Sequence, residues 1–301
     1  MSVQITTAFV QQFKSNVKLL TQQKGSKLRP CVETESVTGN IAYFEQIGAT
    51  AARKRTSRHA DTPRMDTPHA RRRVSLFDYE VSDLIDNEDK IRMLIDPTSQ
   101  YTETMAMALG RSMDDEIIAA ADGTAYTGVD GSTATAYDTS MTVAVTTRAP
   151  GVTSANYGLN VAKILAAGER LGTNNVDQDD EKYLIINSRQ VTSLLNDTRI
   201  SSADFNLARP LMSGQVAEFG GFKIVVCNRI VTDSNGYDKC LFWAKGGMKL
   251  GLGQDIMTRV SERDDKGYST QIFAKMTIGA TRMEEVRVGY IECHTTNGPS
   301  S

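Results

Sequence analysis

The chain has 301 residues, 40% of them hydrophobic and 23% charged, with a formal net charge of −2. That composition belongs to a globular protein able to bury roughly three quarters of its unfolded surface, and it excludes collagen-like, disordered and membrane-spanning classes. The length allows one large domain or two lobes.

The opening stretch, MSVQITTAFVQQFKSNVKLL, places Ile5, Phe9, Phe13, Val17 and Leu20 at helical spacing. It lacks the continuous apolar core of a secretion signal or a membrane span. A short amphipathic helix needs a surface to dock on, its own domain or, as an N-terminal arm, another. Two strand-like runs follow, CVETESV and IAYFEQI, around a Thr38-Gly39-Asn40 turn.

Between Arg53 and Arg73 stand eight basic residues, Arg53, Lys54, Arg55, Arg58, Arg64, Arg71, Arg72 and Arg73, against two acids, Asp61 and Asp66. This is +6 within 21 residues of a chain at −2, which leaves the other 280 residues at −8. A third strand-like run, Val74 to Val81, comes next. Extended runs on both sides of a tip containing Pro63 and Pro68 read as a long projecting hairpin, because proline cannot donate to a β-ladder and is tolerated at tips. The tip holds almost nothing apolar besides Met65, so it builds no core of its own. Such a segment is a solvated loop, or it seats on acidic surface of an identical copy, or it binds nucleic acid. Against the last stands the lack of aromatic residues for base stacking between Arg53 and Arg73.

Asp96-Pro97-Thr98 supplies an N-cap with proline at the first helical position. From there to Ala121 the sequence reads as one helix, with Tyr101, Met105, Leu109, Met113 and Ile117 at i, i+4 steps and Gly123 as its stop. Some 24 residues at 1.5 Å give about 36 Å. Gly110 in the middle predicts a bend or a close neighbouring backbone. Thr124 to Ser154, rich in Thr, Ala, Gly and Ser, reads as loop with short strands. Ser154-Ala155-Asn156 can cap a second helix from Tyr157 to Leu171.

After the acidic DQDDE at 177–181, KYLIINS reads as a buried strand entering a third helix, Arg189 to Asp197. GGFKIVVCNRI and KCLFWAKGGMKLGLG read as two more strands, so residues 155–255 form an α/β lobe. Finally Ile272, Ala274, Met276 and Ile278 alternate with polar residues, as do Val286, Val288 and Tyr290, which predicts a half-buried antiparallel hairpin.

No catalytic constellation emerges. The histidines His59, His69 and His294 form no metal pair, no serine sits in a GxSxG elbow, and neither HExxH nor GxxxxGK[ST] occurs. Cys31, Cys227, Cys240 and Cys293 include no CxxC pair and read as reduced, buried thiols. DQDDE lacks the glycine and distal glutamate of a calcium loop. Gly246-Gly247 and Gly251-Leu252-Gly253 read as turn glycines rather than a dinucleotide loop. The expectation is a non-enzyme with no cofactor and no metal.

The order of arm, basic hairpin, long helix, α/β lobe and terminal strands resembles the major capsid proteins of tailed double-stranded DNA phages. RRRVSLFDYEVSDLIDNEDKIRMLIDP running into the long helix, and IFAKMTIGATRMEEVRVGYIEC near the end, carry the likeness. It implies an α+β capsid fold with an N-terminal arm (1–30), an extended loop (31–82), a peripheral domain (83–154 and 266–301) whose spine helix covers about 97–122, and an axial domain (155–265). It further implies a virion subunit, assembled in the host cytoplasm into hexamers and pentamers that enclose DNA held non-specifically, with a separate scaffolding protein and a portal as partners and no membrane. The loop, about Val37 to Val81, would lie over a neighbouring copy. Asp86, Glu88, Asp89, Glu284 and Glu285 are then the candidate acidic patch receiving it, and Lys54, the one lysine of the tip, permits a covalent crosslink. The alternative is a nucleic-acid-binding module using residues 53–73.

Overall fold

A computed structural model of the chain describes residues 22–58, 64–86, 98–148, 155–197 and 218–296. The opening amphipathic stretch, the Asp96-Pro97 cap, Ser154, Glu88 and Asp89 lie outside the described residues. The architecture is α+β. Two compact units emerge, a smaller one holding Phe77–Met113 and Gln254–Ile278 with residues 22–26, and a larger one holding Lys27–Leu76, Asp114–Gly253 and the chain from Gly279 onward.

Strand β1 (Glu33–Ser36) pairs in parallel with the start of β11 (Met248–Arg263), Glu33 opposite Lys249. Strands β2 (Ile41–Ile47) and β3 (His69–Ser75) form the stem of the expected hairpin, registered from Ile41–Ser75 to Ile47–His69. The third strand-like run is not continuous, however. It breaks at the buried Leu76, whose amide donates to the Asn40 carbonyl, and resumes as β4 (Phe77–Ile85) in another sheet. The crowding is visible at Gly279, where an added Cβ would lie 2.1 Å from the Ser75 carbonyl oxygen.

Helix α1 (Thr98–Asp122) matches the long helix read from the sequence. Met105, Leu109, Met113 and Ile117 are all buried, as their i, i+4 spacing requires, whereas Tyr101 stays 37% exposed. At Gly110 the expected close backbone is present: a Cβ there would sit 2.7 Å from the Gly25 carbonyl carbon. Short strands β5 (Ala125–Thr127) and β6 (Thr133–Thr135) extend the stem into a four-stranded sheet, β2-β3-β5-β6.

Helix α2 (Val161–Thr173) begins four residues later than the sequence suggested. The backbone before it is committed elsewhere, since Tyr157 donates its amide to Val145 and accepts from the His294 amide. Asn160 therefore becomes the cap, its side chain accepting from the Lys163 amide. Strand β7 (Lys182–Ile186) runs into α3 (Ser188–Leu195), capped by Asn187. Strands β8 (Glu218–Phe219), β9 (Phe222–Val226) and β10 (Tyr237–Ala244) complete the lobe, with Gly220 and Gly221 at positive φ in the β8–β9 turn.

Strands β12 (Ser269–Arg282) and β13 (Val288–His294) are not the hairpin their alternation predicted. Antiparallel to β4 runs β12, Thr270 opposite Ile85 through Ile278 opposite Phe77, while β13 pairs with β10 as the edge of the sheet β13-β10-β7-β9-β8. Alternation fixes which face is buried and leaves the partner strand open. The core of the larger unit packs Leu159, just before α2, and Ile164 and Leu171 of α2 with Leu184, Ile186, Phe222, Phe242 and Ile291. A second cluster, Val37, Phe44, Val74, Leu76 and Met283, lies beneath the stem. All four cysteines are free and buried, as expected; burial pushes the Cys31 thiol up to about 12.

Candidate assembly surface

The stem carries two faces of opposite character, because side chains alternate across a strand. Inward point Phe44, Arg72 and Val74, all buried; outward point Ile41, Tyr43 and Ile47 of β2, each at least 40% exposed. The arginine triplet is thereby split. Arg71 and Arg73 belong to the outer face and Arg72 to the core, so the three lie on the stem rather than at the tip.

On the outer face Arg71 pairs with Glu45 at 2.5 Å and stacks 5.3 Å over the Tyr43 ring. Arg73 stacks 5.1 Å over Tyr126 of β5 and donates to the Gly131 carbonyl at 3.1 Å. These guanidinium–ring contacts stiffen an exposed sheet at roughly 0.5–1 kcal/mol each.

Inside, Arg72 donates through Nε to the Met283 carbonyl at 2.8 Å and through Nη2 to both Glu285 oxygens at 2.7 and 2.5 Å. Arg282, fully buried, approaches the same carboxylate at 3.7 Å and donates to the Ala121 and Gly123 carbonyls at 3.0 and 2.9 Å. Burial holds the Arg282 guanidinium below its ordinary range. One carboxylate thus serves two buried cations, and Arg72 Nη1 and Arg282 Nε have no hydrogen-bond partner. This cluster joins β3 to the segment after β12.

Beyond the stem, residues 48–58 and 64–68 form no strand or helix and are exposed throughout. Arg53, Lys54, Arg55, Arg58 and Arg64 are therefore on the surface; the Arg55 guanidinium donates to the Ser57 carbonyl at 3.0 Å, and none of the five makes an ion pair among the described residues. His69, at the start of β3, is exposed.

Of the five candidate acids, Asp86, Glu284 and Glu285 lie among the described residues. Glu285 receives Arg72 and Glu284 pairs with Arg287 at 2.8 Å, both within one chain, and Asp86 accepts from Ser269 at 2.6 Å. Sequence reading passed over further acids on one strand: Asp78 and Glu80 on one face of β4 and Asp83 on the other, all exposed. The signal was present in FDYEVSDLI, where acids sit two apart at 78 and 80. In the 177–181 stretch, Asp180 pairs with Arg287 and Glu181 with Lys223 and Lys245. No cluster of metal-ligating side chains occurs among the described residues.

The described residues thus place an exposed basic segment on the β2–β3 stem and bring no set of metal-ligating side chains together. A family described as phage capsid protein matches residues 5–295. The chain belongs to the phage capsid protein family and is a structural subunit of a phage head, residing in the virion. No curated protein sequence matches it. Among solved structures, the capsid of cyanophage P-SCSP1u superposes with a TM-score of 0.75 at 17% identity, covering 96% of this chain and 94% of that one. The capsid of Ralstonia phage GP4 gives 0.74 at 11% identity, covering 96% of both chains. The cyanophage Pam1 capsid gives 0.70 at 13%, covering 98% of both.

Proposed function

We propose that this major capsid protein builds an icosahedral head of hexamers and pentamers around double-stranded DNA, and that its basic segment is held by acidic surface of an adjacent copy. The observation that carries the reading is the placement of Arg53, Lys54, Arg55, Arg58 and Arg64 on exposed backbone outside any regular element, supported on a stem anchored by Arg72. Ordering such a segment costs entropy that its own few contacts do not offset, so a partner must supply the rest. The remaining 280 residues at −8 make a second copy that partner.

The domain assignment follows the same reading: arm 1–30, extended loop 31–82, peripheral domain 83–154 and 266–301, axial domain 155–265. The protein acts without catalysis, cofactor or metal. Assembly takes place in the host cytoplasm with a separate scaffolding protein and a portal, and packaged DNA meets the inner surface without sequence preference. Negative-stain microscopy and sedimentation of the expressed chain test this. Closed shells of megadalton mass are expected; a 33.0 kDa monomer under every assembly condition, scaffold included, overturns it.

A further inference from the structure

Strand β4 ends its sheet in the order β1-β11-β12-β4, and no strand pairs with its outer edge among the described residues. Nine residues long, it presents a row of backbone donors and acceptors about 30 Å in extent. An open edge of that length is a template for another strand unless charge, proline or a bulge blocks it. Here no proline intervenes, and the charge is all of one sign: Asp78, Glu80 and Asp83 are exposed, as are Phe77 at 55% and Leu84 at 44%. Single-sign charge on an edge repels its own kind and admits the opposite kind.

The opposite kind exists in the same chain. Residues 49–56, ATAARKRT, are exposed, belong to no strand and contain no proline or glycine. Extended, their eight residues span about 26 Å, close to the length of β4. Their bases fall two apart at Arg53 and Arg55, hence on one side of an extended chain, as Asp78 and Glu80 do on β4.

Resting on the reading that the basic loop seats on a neighbouring copy, we propose that Ala49–Thr56 of one copy adds to the outer edge of β4 of another as an antiparallel strand. Arg55 stands opposite Asp78 and Arg53 opposite Glu80, so both cross-strand pairs are of opposite charge. The same register sets Ala52 against Val81 and Ala49 against Leu84, which places small side chains beside the apolar ones. Parallel addition in the matching position, Arg53 opposite Asp78 and Arg55 opposite Glu80, pairs the charges equally but carries Ala49, Thr50 and Ala51 beyond the start of β4. The antiparallel arrangement keeps all eight residues on β4, from Phe77 to Leu84. Strand addition would order the segment in a shell by drawing its backbone hydrogen bonds from the recipient.

The test uses full-length chains in two tagged forms, one carrying Arg55→Cys and the other Asp78→Cys, co-assembled and oxidised. The four native cysteines are buried and contribute little background. A disulfide between the two tagged chains is expected in particles, and pairing Arg55→Cys with Ser82→Cys, about 13 Å out of register, should give none. As a check independent of cysteine geometry, Asp78→Lys with Glu80→Lys should cut particle yield about tenfold, and combination with Arg53→Glu and Arg55→Glu should restore it. A benzophenone on Arg55→Cys separates the failures. Crosslinks to another copy at sites away from β4 overturn strand addition while leaving the neighbour-binding reading intact; crosslinks confined to the same chain overturn both.

Discussion

Arg72 is the residue on which the stem's attachment turns. A guanidinium 6% exposed is tolerable only because Glu285 takes two of its hydrogen bonds and the Met283 carbonyl a third. With Arg282 fully buried against the same carboxylate, Glu285→Ala leaves two desolvated cations facing each other and should destabilise the fold by about 3–5 kcal/mol in chemical denaturation. Arg71→Ala, which removes the adjacent arginine's pair with Glu45 at a side chain 37% exposed, should cost no more than about 1 kcal/mol. Equal losses for the two variants would refute the distinction between inner and outer arginines. A second residue, Glu181, contributes to the sensitivity of the fold to acid. Hydrogen bonds from Lys223, Tyr183 and Lys245 hold the Glu181 carboxyl at about 2 against an ordinary 4.5. Between those values the unfolded chain binds the proton and the folded one does not, so stability present above pH 4.5 is lost as pH falls toward 2. Glu181→Gln should flatten the pH dependence of the melting temperature in that window and leave its slope near neutrality unchanged.

Elements differ in how plainly the sequence announces them. Helix α1 was legible because Met105, Leu109, Met113 and Ile117 repeat at the helical period and need no knowledge of a partner to be placed. Strands β12 and β13 were legible as strands but not as neighbours of β4 and β10, since a period of two says nothing about the edge across which hydrogen bonds form. The arginine triplet misled for a related reason: a charge count over 53–73 does not register that Arg72 lies opposite Phe44 on the buried face. Polar contacts deep in the lobe, such as Asp238 accepting from Asn187 at 2.7 Å and Gln190 at 3.0 Å, left no periodic trace at all. Gly110 was legible in kind, and it separates two opposed effects. Alanine there would favour an isolated helix by roughly 1 kcal/mol, yet its Cβ would stand 2.8 Å from the Gly25 Cα and the Ser26 amide nitrogen. Overpacking against backbone costs about 1–3 kcal/mol, so Gly110→Ala should lower the melting temperature; an increase would show that the approach of residues 25 and 26 does not constrain α1.

At the scale of the whole molecule, the proposed loop contact would be repeated by every copy. Exposed ion pairs contribute only about 0–1 kcal/mol each, too little to hold two chains together at micromolar concentration. In the proposed shell each copy would give and receive the same contact, so the small increment would recur across the assembly and set the concentration at which shells form. Substituting Arg53, Lys54, Arg55 and Arg58 with glutamine removes four positive charges from exposed backbone that supports no core. The melting temperature of the unassembled chain should therefore stay within about 1–2 °C of the parent. The threshold for particle formation should rise about tenfold for each 1.4 kcal/mol lost per contact. Added salt should raise the threshold of the parent protein and scarcely move that of the variant, because the screened interaction is already gone. Light scattering against protein concentration at two ionic strengths reads both effects, and a variant that melts early and assembles normally would place the basic segment in the fold of its own chain instead of in the shell.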